Sequence, residues 1–456
     1  MTTRRTLSVA LLASVALSAC STVGKINPFH GHENGERTVG NAADARTNRI
    51  PVVSLNDQLK VSDTLKGQDF FIPQPAPMTS WPVPGGTPEQ SVENVAAAPD
   101  FEIAWRRSIG ASSTRRKHVT APPIAAGGRI FVMDGVAEVS AHDAKTGATL
   151  WRRNVMPKSR RNHEGWGGGL AWADGKVYAT SGFREVVQLD AQTGQIGWRS
   201  PTDAPVHAAP TVSGGRVYAV DVNDEMLAFN TTDGTQAWTY QALTEPARIL
   251  EASSPAVSGE TIVSSFASGE LVALHAANGS ELWNASLSRT SRTNALSEIR
   301  DIGGRPIIFQ TDVYAISHAD VMAAVDFRTG APRWSIPLSG ITTPWAAGDV
   351  VYAVDLAGRV ACISRESGQI YWIHELDPDG SVKKKKKLQR LYWASPVLAS
   401  NRLIIANNFG DIVALDPKKG TLLKKLKLGS GDLIGPIAVD GMVYVVTDKA
   451  ELVAIR

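Results

Sequence analysis

The chain has 456 residues, 47 basic against 44 acidic side chains for a formal net charge of +3, and two cysteines. That length can bury a large core, either as two or three ordinary domains or as one repeat array. The near balance of charge leaves no broad electrostatic footprint for nucleic acid.

In chain order, the first element is an export segment. Arg4 and Arg5 precede an apolar run from Leu7 to Ala19 that is too short to span a bilayer. Leu17-Ser18-Ala19-Cys20 resembles the lipobox of bacterial lipoproteins, in which cleavage precedes a cysteine that is then lipidated. The resemblance implies loss of residues 1–19 as a signal peptide and acylation of Cys20. Several acyl chains, at about 0.8 kcal/mol per buried methylene, hold a protein on a membrane where one chain would not. Ser21 after the cysteine, in place of aspartate, implies by the enterobacterial sorting rule the outer membrane, facing the periplasm. The other cysteine, Cys362, lies in the apolar run "RVACIS" and is expected as a buried, inert thiol.

Residues 20–100 are expected as a lipidated flexible tether. The stretch "FIPQPAPMTSWPVPGGTPEQ" is proline-rich and polar, with no sustained apolar period. A tether of this length can reach a partner or dock on the protein's own surface. His30 and His32 flank a glycine here and are read as solvated.

From residue 101 the chain repeats. Seven short segments align on their glycine: "DAKTGATLW" at 143, "DAQTGQIGW" at 190, "NTTDGTQAW" at 230, "HAANGSELW" at 275, "DFRTGAPRW" at 326, "SRESGQIYW" at 364 and "DPKKGTLLK" at 416. The glycine suits a tight turn with positive φ, and the Asp, Asn or Ser four residues before it can bond local backbone. Each is preceded by an alternating apolar run, so it joins two strands of a hairpin. Upstream of each turn lies a second hairpin, as in "WADGKVYA" at 172 and "VSGGRVYA" at 212, and this element occurs eight times, the last as "VDGMVYVV" at 439.

Two hairpins make a four-stranded antiparallel sheet, the unit of a propeller blade. Eight of one element and seven of the other leave the last blade a strand short, because the chain stops at "ELVAIR". "FEIAWRR" at 101–107 is a Trp-bearing strand with no hairpin ahead of it. Pairing it with the final strands would close a ring and hide open edges. The expected fold is therefore all-β, an eight-bladed β-propeller over residues 101–456 closed by an N-terminal strand in its last blade. Trp105, Trp151, Trp198, Trp238, Trp283, Trp334 and Trp372 are expected to wedge between blades, each indole N–H finding a backbone acceptor. The seventh turn is followed by Lys424 where the others have Trp, so that junction should be weakest or packed differently.

These turns resemble the β-propeller repeat of quinoprotein dehydrogenases. Together with the lipobox and the count of eight, the chain resembles the BamB family of outer-membrane protein assembly factors, most specifically over Trp166–Trp198. The resemblance implies a non-catalytic scaffold, with no cofactor, metal or catalytic residue, that binds the POTRA repeats of BamA and assists insertion of outer-membrane proteins. It places the partner surface on the loops "EPARILEASSP" and "NALSEIRDIGGRP", with Arg248, Ile249, Leu250 and Asp301 as contacts. Leu250 stands where the family often has arginine, and Gly303 where a second acid is expected. An exposed Ile-Leu pair beside Arg248 would give an apolar anchor with a charged rim.

Two other readings compete, a quinone-dependent periplasmic dehydrogenase and a propeller lipoprotein that binds another envelope ligand. The quinoproteins resemble one another in a calcium-bound quinone, an aspartate base and often a disulfide between adjacent cysteines; no adjacent cysteines occur here. "GWGGGLAW" at 165 lacks the lysine and helix of a phosphate loop, so its glycines are read as entering a crowded inner strand. The nine histidines are dispersed, without zinc spacing, and no nucleophile elbow is present. Lys383–Lys387 read either as a solvated loop or as a patch attracted to acidic protein or lipid head groups.

Overall fold

The computed structural model describes residues 58–456 except 115–116, 158–164, 166, 245–252, 288–300, 378–380, 385–386 and 432, and leaves out the side chains of 381–389. The signal peptide, Cys20, His30, His32 and Arg248, Ile249 and Leu250 lie outside the described residues.

Eight four-stranded antiparallel sheets form an eight-bladed β-propeller. In the first blade the strands run outward from the centre as Ile124–Ala126, Arg129–Met133, Glu138–Asp143 and Thr149–Asn154. The second and third strands, such as "RVYAV" and "EMLAFN", are buried along nearly their whole length. Each blade is covered on both faces by its neighbours, so these strands need apolar side chains at successive positions instead of alternate ones. The outermost strands, such as "TLWRRN", are mostly exposed.

The last blade is completed as the strand count requires. Ile103–Ser108 pairs antiparallel with Glu451–Ile455, setting Trp105 against Ala454. Reciprocal bonds between Glu102 and Arg456, at 3.0 and 2.8 Å, fasten the two ends of the ring.

The tryptophans follow one geometry. Each indole lies against the turn glycine of the next blade, Trp151 on Gly194 and Trp334 on Gly368 for example. The indole N–H donates to a carbonyl of that same turn, from Trp151 to Ala191 at 3.0 Å and from Trp334 to Arg365 at 2.7 Å. Within its own blade the ring meets an aromatic of the second strand, as Trp198 meets Tyr178 at 5.9 Å, except at Trp283, whose second strand "TIVSS" has none. Trp105 departs from this pattern: Ala144 O accepts from Tyr444 Oη at 2.8 Å, and Trp105 Nε1 is buried without a hydrogen-bond partner. At the seventh position Lys424 Nζ donates to Asp100 O at 2.9 Å. The eighth blade has a chain junction where the others have a glycine turn, so no glycine awaits an indole there, and the lysine still reaches a backbone carbonyl of the next blade.

The reading of residues 20–100 as a flexible tether needs correction over 58–100. Trp81, Val83, Val95, Ala97 and Ala98 are buried, Trp81 completely. Residues 81–98 pass the innermost strands of all eight blades. Trp81 exchanges two bonds with Ala125, while Trp172, Val257 and Ile308 donate their N–H groups to Pro82, Pro88 and Glu89. Gln90 Nε2 reaches Thr211, Trp345 Nε1 reaches Glu93 O, Val95 donates to Leu398 and Ala98 donates to Gly441. The innermost strands would otherwise present an unpaired edge to the channel. The segment is a plug that bonds to this edge blade by blade, most heavily at the seventh, where Val95, Ala97 and Asn94 meet Leu398, Ser400 and Asn401.

Candidate functional site

Antiparallel strands alternate in direction, so the connections of each blade fall on two faces of the ring. The hairpin joining first to second strand and the glycine turn joining third to fourth share one face. The plug lies against this turn face: it reaches Gly348, Ser400, Asn401 and Gly441 in the first hairpins, and Lys418 in a glycine turn lies over Phe70. The opposite face carries the strand ends between which the connections between blades run, Gln241 and Ala256 on either side of the first loop singled out as the partner surface and Ser286 and Ile307 on either side of the second, and the hairpin of Ser381–Lys384 with Lys387–Arg390. The described ends of the long connections therefore share the face the plug leaves open.

Asp301 stands at the root of the second of those loops, 2% exposed, with its carbonyl accepting from His318 N at 2.9 Å. Its side chain is inside the protein. Gly303 and Gly304 follow it into the channel wall, where a β-carbon on Gly304 would collide with Thr342 O.

At the centre of the loop face the channel opens into a cavity of about 610 Å³. Its walls are the residues that lead into each innermost strand, among them Gly168, Ala208, Ser254, Thr343 and Ser395. They are small because eight chains converge here; a β-carbon on Gly169 would come within 2.5 Å of Ala209 Cβ. That is the packing the glycine run at 165 encodes. One side of the mouth is apolar, with Tyr392 and Leu433 exposed and Trp393 behind them.

Three residues lining this cavity each have a buried side-chain nitrogen without a hydrogen-bond partner: Arg305 Nε, His318 Nδ1 and Trp393 Nε1. Arg305 stands between this cavity and a small void of about 20 Å³ against the plug. Burial lowers its guanidinium to about 10, which leaves it charged at neutral pH. Among the described lining residues the single carboxylate is Asp355, and it is fully used. Its Oδ1 accepts from Ala357 N and Arg359 N, and its Oδ2 from Arg359 Nε at 2.6 Å. Cys362 is wholly buried in a blade, and burial pushes its thiol well up.

This architecture defines an eight-bladed propeller of the quinoprotein-repeat type with a plugged channel. The sequence profile of the family described as "Outer membrane protein assembly factor BamB" matches residues 89–160, 135–374 and 373–456, and the chain belongs to that family. The BamB of Shewanella oneidensis is 22% identical over 75% of this chain and 86% of its own length. That of Moranella endobia is 23% identical over 54% of this chain, a match spanning 61% of that relative. Among solved structures, BamB from Moraxella catarrhalis superposes with a TM-score of 0.64 at 17% identity, covering 77% of this chain and 99% of that one. The quinohemoprotein alcohol dehydrogenase of Comamonas testosteroni superposes at 0.63 with 14% identity, covering 81% and 76%. The fold is thus shared with enzymes, and the lining residues must discriminate. A calcium-bound quinone needs carboxylate oxygens free for the metal and an aspartate base; Asp355 has neither oxygen to spare, and the described lining does not fit that group.

Proposed function

We propose that this protein is a non-catalytic scaffold of the outer-membrane barrel assembly machinery. In this reading it is acylated at Cys20, sits on the periplasmic face of the outer membrane, and binds the POTRA repeats of BamA through its loop face. Arg248, Ile249 and Leu250 supply the contact, while Asp301 holds the root of the neighbouring loop. Family membership supports the general role. The observation that carries the choice of surface is the asymmetry of the ring: one face is occupied by the protein's own residues 81–98, and the described ends of the long connections lie on the other.

The test is detergent extraction and affinity capture at native abundance, with photocrosslinkers placed in turn at Ile249, Leu433 and, on the turn face, Gly214. Crosslinks from the first two positions to a barrel protein bearing POTRA repeats are expected. Capture of no such protein ends the assembly reading, and crosslinks confined to Gly214 move the interface to the other face. Charge reversal of Arg248 with normal binding would remove that residue from the contact.

A further inference from the structure

We infer that the central cavity is a binding site for a carboxylate carried on an apolar body, held by Arg305 on the channel floor. The inference is independent of the partner surface proposed above.

Buried polar atoms in folded proteins have partners almost without exception, and an orphan calls for a water, an ion or a ligand. Here the residues carrying three orphan nitrogens line one cavity from two blades: Arg305 leads into the fifth blade, His318 lies between its second and third strands, and Trp393 leads into the seventh. Arg305 Nε–H and Trp393 Nε1–H can only donate. The missing partner must therefore bring acceptor oxygens. His318 Nδ1 is able to join as a donor in the appropriate tautomer.

Charge narrows the class. A guanidinium is matched in geometry by a carboxylate, which accepts two parallel N–H bonds. No carboxylate of the described residues pairs with Arg305, and Asp355, the one acid lining the cavity, is taken by Arg359. A largely buried cation without a carboxylate partner is costly to keep, so its retention in this wall points to an anion that arrives from outside. The rest of the ligand is set by the wall beside the mouth. Tyr392, Trp393 and Leu433 offer an aromatic and aliphatic surface, and the volume suits a small organic molecule or the end of a chain.

Such a carboxylate belongs either to a free aromatic acid or to the terminal residue of a peptide. The probes are benzoate, the tripeptide Ala-Ala-Phe and its C-terminal amide, titrated by calorimetry into the purified full-length chain. Binding of benzoate, the free tripeptide or both at millimolar or lower concentration is expected, and which of them binds identifies the source. The amide should bind at least tenfold more weakly than the free tripeptide wherever the tripeptide binds. Arg305→Met should weaken binding at least tenfold while the melting temperature stays equal or rises, because an unpaired buried cation is being replaced by an apolar chain of similar length. Trp393→Phe should weaken it with the ring kept. Failure of every probe to bind the wild type, undiminished binding by Arg305→Met, or equal affinity for acid and amide overturns the proposal. Loss of folding in Arg305→Met does so too, since the arginine would then be serving the protein's own structure.

Discussion

Trp372 rests against Gly420 of the next blade so closely that a β-carbon there would lie 2.5 Å from Cε3 of the ring, while the indole N–H donates to Pro417 O at 3.2 Å. The glycine is needed twice over, for its φ of +68° and for the indole above it. Gly420→Ala should cost about 2–4 kcal/mol, left-handed strain plus overpacking. Gly214→Ala isolates the first cause, since φ is +58° there and a β-carbon meets nothing within 4 Å; its cost should be about 1 kcal/mol. Chemical denaturation midpoints decide, and equal losses at both positions would refute the bracing role of the indole.

Lys424 gives the complementary comparison. Trp372→Ala empties a junction and should cost about 3–5 kcal/mol. Lys424→Ala removes a half-exposed side chain whose one hydrogen bond goes to Asp100 O, and should cost about 1 kcal/mol or less. A loss at Lys424 as large as that at Trp372 would mean that the chain junction depends on the amine.

The propeller was legible because two hairpin types could be counted separately. Eight of one against seven of the other predicted both the borrowed strand at Trp105 and the place where it pairs. The Trp and glycine counts also correspond, one indole to each turn, with Lys424 marking the blade that has no turn. The plug was not legible, since residues 81–98 meet the blades through scattered backbone and side-chain bonds and never run as a strand long enough to impose a period. Their prolines and glycines read as linker; Trp81, a large apolar ring in a supposed tether, was the available signal. The cavity was hidden for another reason. Arg305 and His318 belong to the fifth blade and Trp393 leads into the seventh, so the three meet only through the arrangement of blades around the channel, with no motif spacing that local sequence could reveal. Position matching named Asp301 as a contact but could not tell that its side chain is buried.

The plug makes its own prediction. Trp81 is fully buried, stacks on Trp345 with ring centroids 6.3 Å apart and donates its indole N–H to Pro84 O at 3.0 Å. Trp81→Ala should cost about 3–5 kcal/mol and loosen the segment from the channel. Limited proteolysis followed by mass analysis should find cuts between 76 and 98 in the variant and none in the wild type under the same conditions. Deleting 58–98 would leave the innermost edges unpaired, and the shortened chain should aggregate in light scattering at concentrations where the full chain stays monodisperse. A monodisperse, stable deletion would show that the ring closes its own channel.

Acid stability should pass through the turn aspartates. Asp190 accepts from Lys176 Nζ, from Thr193 Oγ1 and from the N–H groups of Gln192 and Thr193, and these bonds, the lysine's first, hold its carboxyl down at about 2 against an ordinary 3.8. The folded state therefore favours the ionised form. Its contribution is complete above about pH 4 to 5 and disappears as the pH falls through about 2. The side chain is a third exposed, so the effect should be about 1 kcal/mol or less. Asp190→Asn keeps a side-chain oxygen able to accept at the same place and removes the charge. Urea midpoints of wild type and Asp190→Asn should differ at pH 6, draw together as the pH falls through about 4, and converge only below about 2. A gap that persists unchanged into acid would mean that the carboxylate's charge is irrelevant and that the substitution acts through turn geometry alone.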